Sequence, residues 1–191
     1  MRKSIHTVLP QFLLALLLLT SCSAASDLSE VPEELQLLDT TTKQVLYIGM
    51  KKSQIDSKKL VKVDDDNLPE SMKLYQYEGI NMQFHNNVLI FMHIPETSQE
   101  GRFQTKGLGI GSDISEIVPA YGHEPIYNPV FNSYSYIILK DDLYYFKSLE
   151  DLKEKASLGG SSIMMVDFNS NEENKIRSFN IADEKFLAPS E

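Results

Sequence analysis

The chain has 191 residues, of which 18 are Lys or Arg and 27 are Asp or Glu, so its formal net charge is −9. This acidic balance argues against nucleic-acid binding, because neutralising phosphates takes clustered basic side chains. The densest basic stretch, residues 51–62, is interrupted by Asp56 and followed closely by the acidic run Asp64–Asn67. The length is sufficient for one domain with its own core.

The N-terminus has the layout of an export signal. Arg2 and Lys3 are followed by an apolar stretch, Phe12–Leu19, and by two small polar residues before Cys22. A basic start, a short apolar region and small residues at a cleavage site are typical of signal peptides. The apolar stretch is shorter than the roughly 20 residues that span a bilayer. We therefore predict a signal peptide over residues 1–21.

The sequence LTSC, Leu19 to Cys22, resembles the bacterial lipobox. The resemblance implies cleavage before Cys22, attachment of diacylglycerol to its thiol, and a position in the bacterial cell envelope, anchored to a membrane on its extracytoplasmic side. Two or three acyl chains give stable anchoring. An ordinary secretory signal, cleaved near Ala24 and Ala25, is the alternative. Because Cys22 is the only cysteine, a lipidated chain has no disulfide, no thiolate zinc site and no cysteine nucleophile.

After Cys22 the chain is small and acidic as far as Asp39. This composition predicts a lipid-anchored tether over residues 22–43 that can dock on the domain. Pro32 followed by two glutamates can start a short helix within it.

Two segments 62 residues apart indicate an internal repeat. Ile48–Ile55 reads IGMKKSQI and Ile110–Ile117 reads IGSDISEI. Alternating strand-like sequence with a polar two-residue turn follows each motif, at Asn86-Asn87 in the first case and at Asp141-Asp142 in the second. We therefore predict a first repeat over residues 44–105 and a second over residues 106–191. The second repeat ends in a further hairpin, SIMMVDF to KIRSFNI.

Three helices are predicted. The best defined begins at an N-cap, Ser112, and ends at Gly122, with apolar residues at helical spacing, although Pro119 conflicts with its last turn. A shorter, irregular helix is predicted near Lys51 to Asp56, and another from Leu149 to about Ala156. The predicted fold class is α+β, with two similar units of a short helix plus an antiparallel hairpin or sheet, followed by C-terminal strands.

The stretch TKGLGIGSDISEIVPAYG, residues 105–122, is similar to a pattern found in bacterial lipoproteins. The matching residues are Thr105, Gly107, Ile110, Gly111, Ser112, Ile117, Tyr121 and Gly122. The architecture resembles the β-lactamase-inhibitor-protein-like repeat, which small outer-membrane assembly lipoproteins share, over residues 45–181. This resemblance implies an interaction module rather than an enzyme, and no partner-contact residue is carried over from it.

Catalytic and metal-binding patterns are weak. The acidic run Asp64–Asn67 lacks the spacing of an EF-hand loop. The histidines His85, His93 and His123 have no helical i, i+4 pair for zinc. Ser112 lacks the second glycine of a nucleophile elbow. We therefore expect no catalytic residue, no metal and no cofactor.

Four tyrosines are the candidate binding residues: Tyr134, Tyr136, Tyr144 and Tyr145. Strand alternation places the first two on one face and the last two on opposite faces. An exposed aromatic patch can dock a partner or a sugar, whereas cross-strand packing is the alternative explanation. The sequence thus predicts a lipid-anchored, non-catalytic module that binds an envelope protein. A small-ligand or metal-binding lipoprotein, or an envelope hydrolase using His123 or Asp113, is the alternative.

Overall fold

The computed structural model describes residues 31–139, 144–148, 151, 163–183 and 186. The chain divides into two compact units, Met1–Val31 and Pro32–Glu191, and the second contains every element below. The predicted signal peptide, Cys22, the Asp141-Asp142 turn and all of the Leu149–Ala156 helix except Asp151 lie outside the described residues. Within the described residues, no helix has the length and apolar character needed to cross a bilayer.

Thirteen strands account for about half of the described residues. They are β1 Gln36–Asp39, β2 Val45–Tyr47, β3 Leu60–Val63, β4 Met72–Tyr77, β5 Ile80–His85, β6 Val88–Ile94, β7 Phe103–Thr105, β8 Leu108–Gly109, β9 Ile126–Asn128, β10 Ser133–Leu139, β11 Tyr144–Tyr145, β12 Ile163–Ser170 and β13 Ile176–Asp183. Single 3₁₀ turns cover Glu33–Leu35, Lys52–Gln54, Ser57–Lys59 and Ile114–Glu116, and the short helix α1 covers Ile117–Tyr121.

The strands form two antiparallel sheets. The large sheet has the order β11-β10-β12-β13-β6-β5-β4-β3, and β9 pairs with β10 at one side. The small sheet has the order β2-β1-β7-β8. Strand β1 lies inside the segment predicted as tether and pairs with both β2 and β7.

The predicted α+β fold class is wrong, because the described chain is a β-rich fold with one short helix. The apolar pattern after Ser112 gives a 3₁₀ turn and then only the five residues of α1. Pro119 has no N–H to donate, and Gly122 ends the helix in the left-handed conformation with φ of 72°. In the first motif the expected helix is a single 3₁₀ turn, after which Ile55 is extended.

The two I-G motifs occupy matching backbone positions. Gly49 and Gly111 have φ of 95° and 89°, conformations that favour glycine. The N–H of each glycine donates to the carbonyl of a residue at the start of the last strand in its half. The N–H of that strand residue donates to the carbonyl of the residue that follows the glycine. The bonds are Gly49 N to Leu89 O at 2.8 Å, Leu89 N to Met50 O at 2.9 Å, Gly111 N to Ile176 O at 2.8 Å and Ile176 N to Ser112 O at 2.9 Å. Each motif therefore fixes the strand that closes its half of the sheet.

The halves meet with a local twofold arrangement. Strands β3–β6 form one meander, and β9, β10, β12 and β13 form another. Strands β6 and β13 join them, with Met92 opposite Ile181, His93 opposite Asn180 and Ile94 opposite Phe179. This register is symmetric about the His93–Asn180 pair.

The core lies between the small sheet and one face of the large sheet, here called the inner face. Along β12, residues alternate between half-buried and buried, and Phe168 on the inner face is fully buried. Tyr77 of β4 and Phe103 of β7 are also fully buried, and their rings pack edge-to-face at 6.5 Å between the two sheets. The opposite face of the large sheet is called the outer face.

A buried ion pair ties the small sheet to the large one. Asp39, with no exposed surface, accepts hydrogen bonds from Arg102 Nε at 3.2 Å and Nη2 at 3.1 Å. Arg102 also reaches Glu78, in the β4–β5 turn, at 3.0 Å. Burial by itself raises the pKa of Asp39, but the hydrogen bonds from Arg102 and from the Thr41 and Thr42 amides outweigh it and lower the pKa.

Replacing Arg102 by alanine should lower the free energy of unfolding by about 3–5 kcal/mol, because it leaves the buried Asp39 carboxylate without its partner. The matched control is Glu78→Gln, which removes the partly exposed end of the network and should cost about 1 kcal/mol or less. Urea unfolding at neutral pH measures both. Equal losses for the two variants would contradict this assignment.

The Asp39 pair should also make stability depend on pH. Because the folded-state pKa lies below the ordinary aspartate value of 3.8, the ionised carboxylate stabilises the fold above that pH, and this stabilisation is lost as the pH falls through the folded-state pKa. Urea titrations between neutral and acidic pH should show this loss for the native protein. The isosteric variant Asp39→Asn should show a shallower dependence, and identical pH profiles would count against the pair.

Candidate functional site

Tyr134 and Tyr136, two of the predicted binding residues, project from the inner face. They lie opposite Phe168 and Val166 of β12. Tyr136 is only 2% exposed, stacks on Tyr121 with ring centroids 4.3 Å apart, and donates a hydrogen bond to the His123 carbonyl at 2.7 Å. Burial raises the pKa of its hydroxyl. Tyr136 is therefore part of the core.

Tyr144 and Tyr145 lie on opposite faces of β11, opposite Leu139 and Ile138. The Tyr144 hydroxyl donates to Asp151 Oδ2 at 3.0 Å. The Tyr145 ring stacks on His123, with centroids 4.3 Å apart. The four predicted tyrosines thus do not form one patch.

The N-terminal end of the fold is held beside Tyr145. Glu34 pairs with Lys106 at 2.8 Å, and its backbone carbonyl accepts a hydrogen bond from the buried Thr105 at 3.3 Å. Burial by itself raises the pKa of Glu34, but the hydrogen bonds from Lys106 and the Tyr145 hydroxyl contribute to lowering it overall. The described chain therefore enters the fold at the Tyr145 end of β10.

An exposed apolar cluster lies at the opposite end of β10. Tyr127 is 50% exposed, Val130 81% and Phe131 67%. These three residues, here called the apolar tip, lie on or beside the loop that joins β9 to β10. The sequence from Ile126 to Leu139 contains no charged residue, although 24% of the chain is charged. Large exposed apolar side chains grouped on one loop are typical of interaction sites.

Hydrogen bonds hold the apolar tip in one conformation. Asn128 Oδ1 accepts from the Val130 amide at 3.0 Å, and the Tyr127 hydroxyl donates to Asn132 Oδ1 at 3.1 Å. The Asn132 carbonyl accepts from the Ser170 amide at 3.1 Å and from its hydroxyl at 3.2 Å, which ties the loop to β12. The tip is therefore organised before any partner binds.

A row of polar side chains crosses the outer face at one register level, from β4 to β10. Each member lies opposite the next on the neighbouring strand, in the order Gln76, Asn81, His93, Asn180, Asp167 and Ser135. We call this set the polar row.

Side-chain hydrogen bonds link the polar row in pairs. Gln76 Nε2 donates to Asn81 Oδ1 at 3.4 Å, and Ser135 Oγ donates to Asp167 Oδ1 at 2.5 Å. In the middle, His93 Nδ1 lies 2.7 Å from Asn180 Oδ1, so the ring nitrogen is the donor.

Among the described outer-face residues that pair between strands of the large sheet, Asp167 is the one with a formal charge, and Lys51 forms an isolated bridge with Val88 at the start of β6. Beside the polar row lies an apolar row that includes Leu74, Phe91 and Met165, and Phe186 stacks on Phe91 with centroids 3.8 Å apart. Depletion of Lys and Glu is a compositional mark of binding surfaces.

The other sequence candidates are dispersed. Asp113, not Ser112, caps the 3₁₀ turn by accepting from the Ser115 amide at 2.9 Å, whereas Ser112 Oγ accepts from Gly109 N at 3.1 Å. His85 lies at the end of β5, and in the acidic run Lys62 pairs with Asp64. Across the described ranges, no group of three or more His, Cys, Asp or Glu side chains could hold a metal ion.

Comparison of the chain with protein-family models, with curated proteins and with solved structures gave no match. Function is therefore argued from the two surfaces themselves. Sequence reasoning missed both. The absence of charged residues from Ile126 to Leu139 could have indicated the apolar tip. The polar row could not be predicted, because it depends on the strand order of the large sheet.

Tyr136→Ala should lower the free energy of unfolding by about 3–5 kcal/mol, because it removes a large buried ring and leaves a cavity beside Tyr121. Tyr134→Ala is the matched control on the same strand face, and its half-buried ring should cost clearly less. Thermal or urea unfolding distinguishes the two. A larger loss for Tyr134→Ala would show that Tyr136 is not a core residue.

Proposed function

We propose that this protein is a lipid-anchored component of the bacterial cell envelope that binds another protein without catalysis, and that the apolar tip is its docking site. The observation that supports the proposal best is the exposure of Val130 and Phe131 on a loop that is already fixed by hydrogen bonds. Solvent exposure of two such side chains has a free-energy cost that a complementary pocket would remove.

The composition of the tip fits the energetics of protein interfaces. A few aromatic and apolar anchors at the centre of an interface provide most of its binding free energy. Burying Val130 and Phe131 contributes about 1.5–3 kcal/mol each. Because the loop is preorganised, little of that gain is offset by ordering the chain. Tyr127 extends the anchor with a ring whose centroid lies 4.9 Å from that of Tyr134.

The apolar tip lies at the opposite end of β10 from the point where the described chain enters the fold. The chain enters the fold at Glu34, beside Tyr145, which pairs with Ile138 of β10. The tip precedes Ser133, at the other end of the same strand. At about 3.4 Å per residue, these two points are roughly 17 Å apart along β10.

The double variant Val130→Ser/Phe131→Ser should lose the partner. Crosslinking in the cells that produce the protein, followed by mass spectrometry, should recover a specific protein with the native chain and at least about tenfold less of it with the variant, because about 3 kcal/mol or more of burial is removed. The control is Val61→Ser, which removes another exposed valine, 62% exposed, from the edge strand β3. Recovery of the same proteins by all three forms would disprove the docking site.

The anchor is tested separately. Native protein should partition into the detergent phase and carry acyl mass on Cys22, whereas Cys22→Ala should be secreted and remain in the aqueous phase, because it lacks the acceptor thiol. The native tip on the secreted form should still bind the purified partner. Aqueous partitioning of both forms would show an ordinary secretory signal.

A further inference from the structure

Strand β3 is an open edge of the large sheet. It pairs with β4 on one side, and no strand of the described chain pairs with it on the other. An edge strand presents unpaired N–H and C=O groups to which another strand can add. The Val61 side chain on this strand is 62% exposed. Strand β3 therefore offers both main-chain groups and apolar surface to a partner strand.

The charges around β3 have opposite signs at its two ends. The sequence from Lys58 to Asp66 reads KKLVKVDDD, with two lysines before the strand and three aspartates after it. The side chains of Lys58 and Asp64 are both exposed. When two copies of this segment run antiparallel, the basic end of each lies beside the acidic end of the other. The segment is therefore complementary in charge to itself.

Twofold symmetry limits the registers in which two copies of β3 can pair. Antiparallel pairing about a twofold axis places one residue opposite its own copy, and only Val61 or Lys62 in that position pairs three residues of the strand. With Lys62 at the axis, two ammonium groups oppose each other, which is destabilising. With Val61 at the axis, the two exposed valines cover each other, and Asp64 lies opposite Lys58 of the second copy. Charge therefore favours the Val61 register.

We propose that β3 pairs with β3 of a second copy of this chain in the Val61 register, so that the large sheets of the two copies become one continuous sheet. The contact is isologous, because the same strand is used by both copies. A lysine on a short edge strand commonly prevents such pairing. In this register Lys62 lies opposite Leu60 of the second copy and forms its own ion pair with Asp64, so no like charges meet.

Single cysteines test the register in the Cys22→Ala protein, which otherwise contains no cysteine. Val61→Cys should form an intermolecular disulfide on mild oxidation, because opposite residues of an antiparallel pair have Cα atoms about 4.5–5.5 Å apart, within disulfide range. Lys62→Cys should react at least about tenfold more slowly, because its side chain lies on the other face of the strand. The matched control is Val130→Cys, at an exposed valine outside β3, which should stay monomeric.

Charge exchange tests the two ends of the segment in the same Cys22→Ala protein. Lys58→Glu and Asp64→Lys should each weaken dimerisation about fivefold or more in sedimentation equilibrium at low salt, because each places like charges opposite one another twice in the dimer. An equimolar mixture of the two variants should regain the native affinity, since opposite charges then face each other again. The tip variant Val130→Ser/Phe131→Ser should dimerise as the native protein does, so the dimer and the docking site can fail independently.

Four results would overturn the β3 dimer. The first is a monomer at every concentration up to about 1 mM. The second is a mixture of the two charge variants that associates no better than either alone. The third is Val61→Cys forming no more disulfide than Val130→Cys. The fourth is assembly beyond dimers, which an isologous contact between two copies does not produce.

Discussion

The pairing of β6 with β13 is the interaction on which the rest of the structure depends. It converts two meanders into one large sheet, and it connects residues that are 87 positions apart at the His93–Asn180 pair. Its register is strongly fixed, because a slip of one residue would turn Met92 and Ile181 out of the core. The same register aligns the polar row across six strands. Core formation and the composition of the outer face are thus set by one strand pair.

The sequence correctly predicted local turns and hairpins, whereas it did not predict which distant strands pair. The hairpin expected at Asn86-Asn87 is present, with φ of 50° and 65° at the two turn residues, and the C-terminal hairpin of β12 and β13 is present as well. The helices were overestimated because apolar spacing after Ser112 is equally satisfied by a 3₁₀ turn and one short helical segment. No strand order was predicted, because no local pattern specifies that β6 pairs with β13.

The same distinction separates the candidate sites. Alternation correctly places Tyr134 and Tyr136 on one face, but alternation alone does not say which face the small sheet covers. Tyr136 is buried because Tyr121 packs against it from α1. The exposed residues are instead those at the loop between β9 and β10, where the chain turns away from the core. Exposure is a property of the assembled sheets, so residue type alone could not assign it.

The local twofold arrangement makes the β3–β4 loop and the β9–β10 loop counterparts in the two halves. In the first half this loop carries Asp64, Asp65 and Asp66, and in the second it carries Val130 and Phe131. The two halves therefore present unlike chemistry at equivalent positions, three carboxylates at one loop and two large apolar side chains at the other, so the local twofold arrangement of the backbone does not extend to the surfaces of these loops.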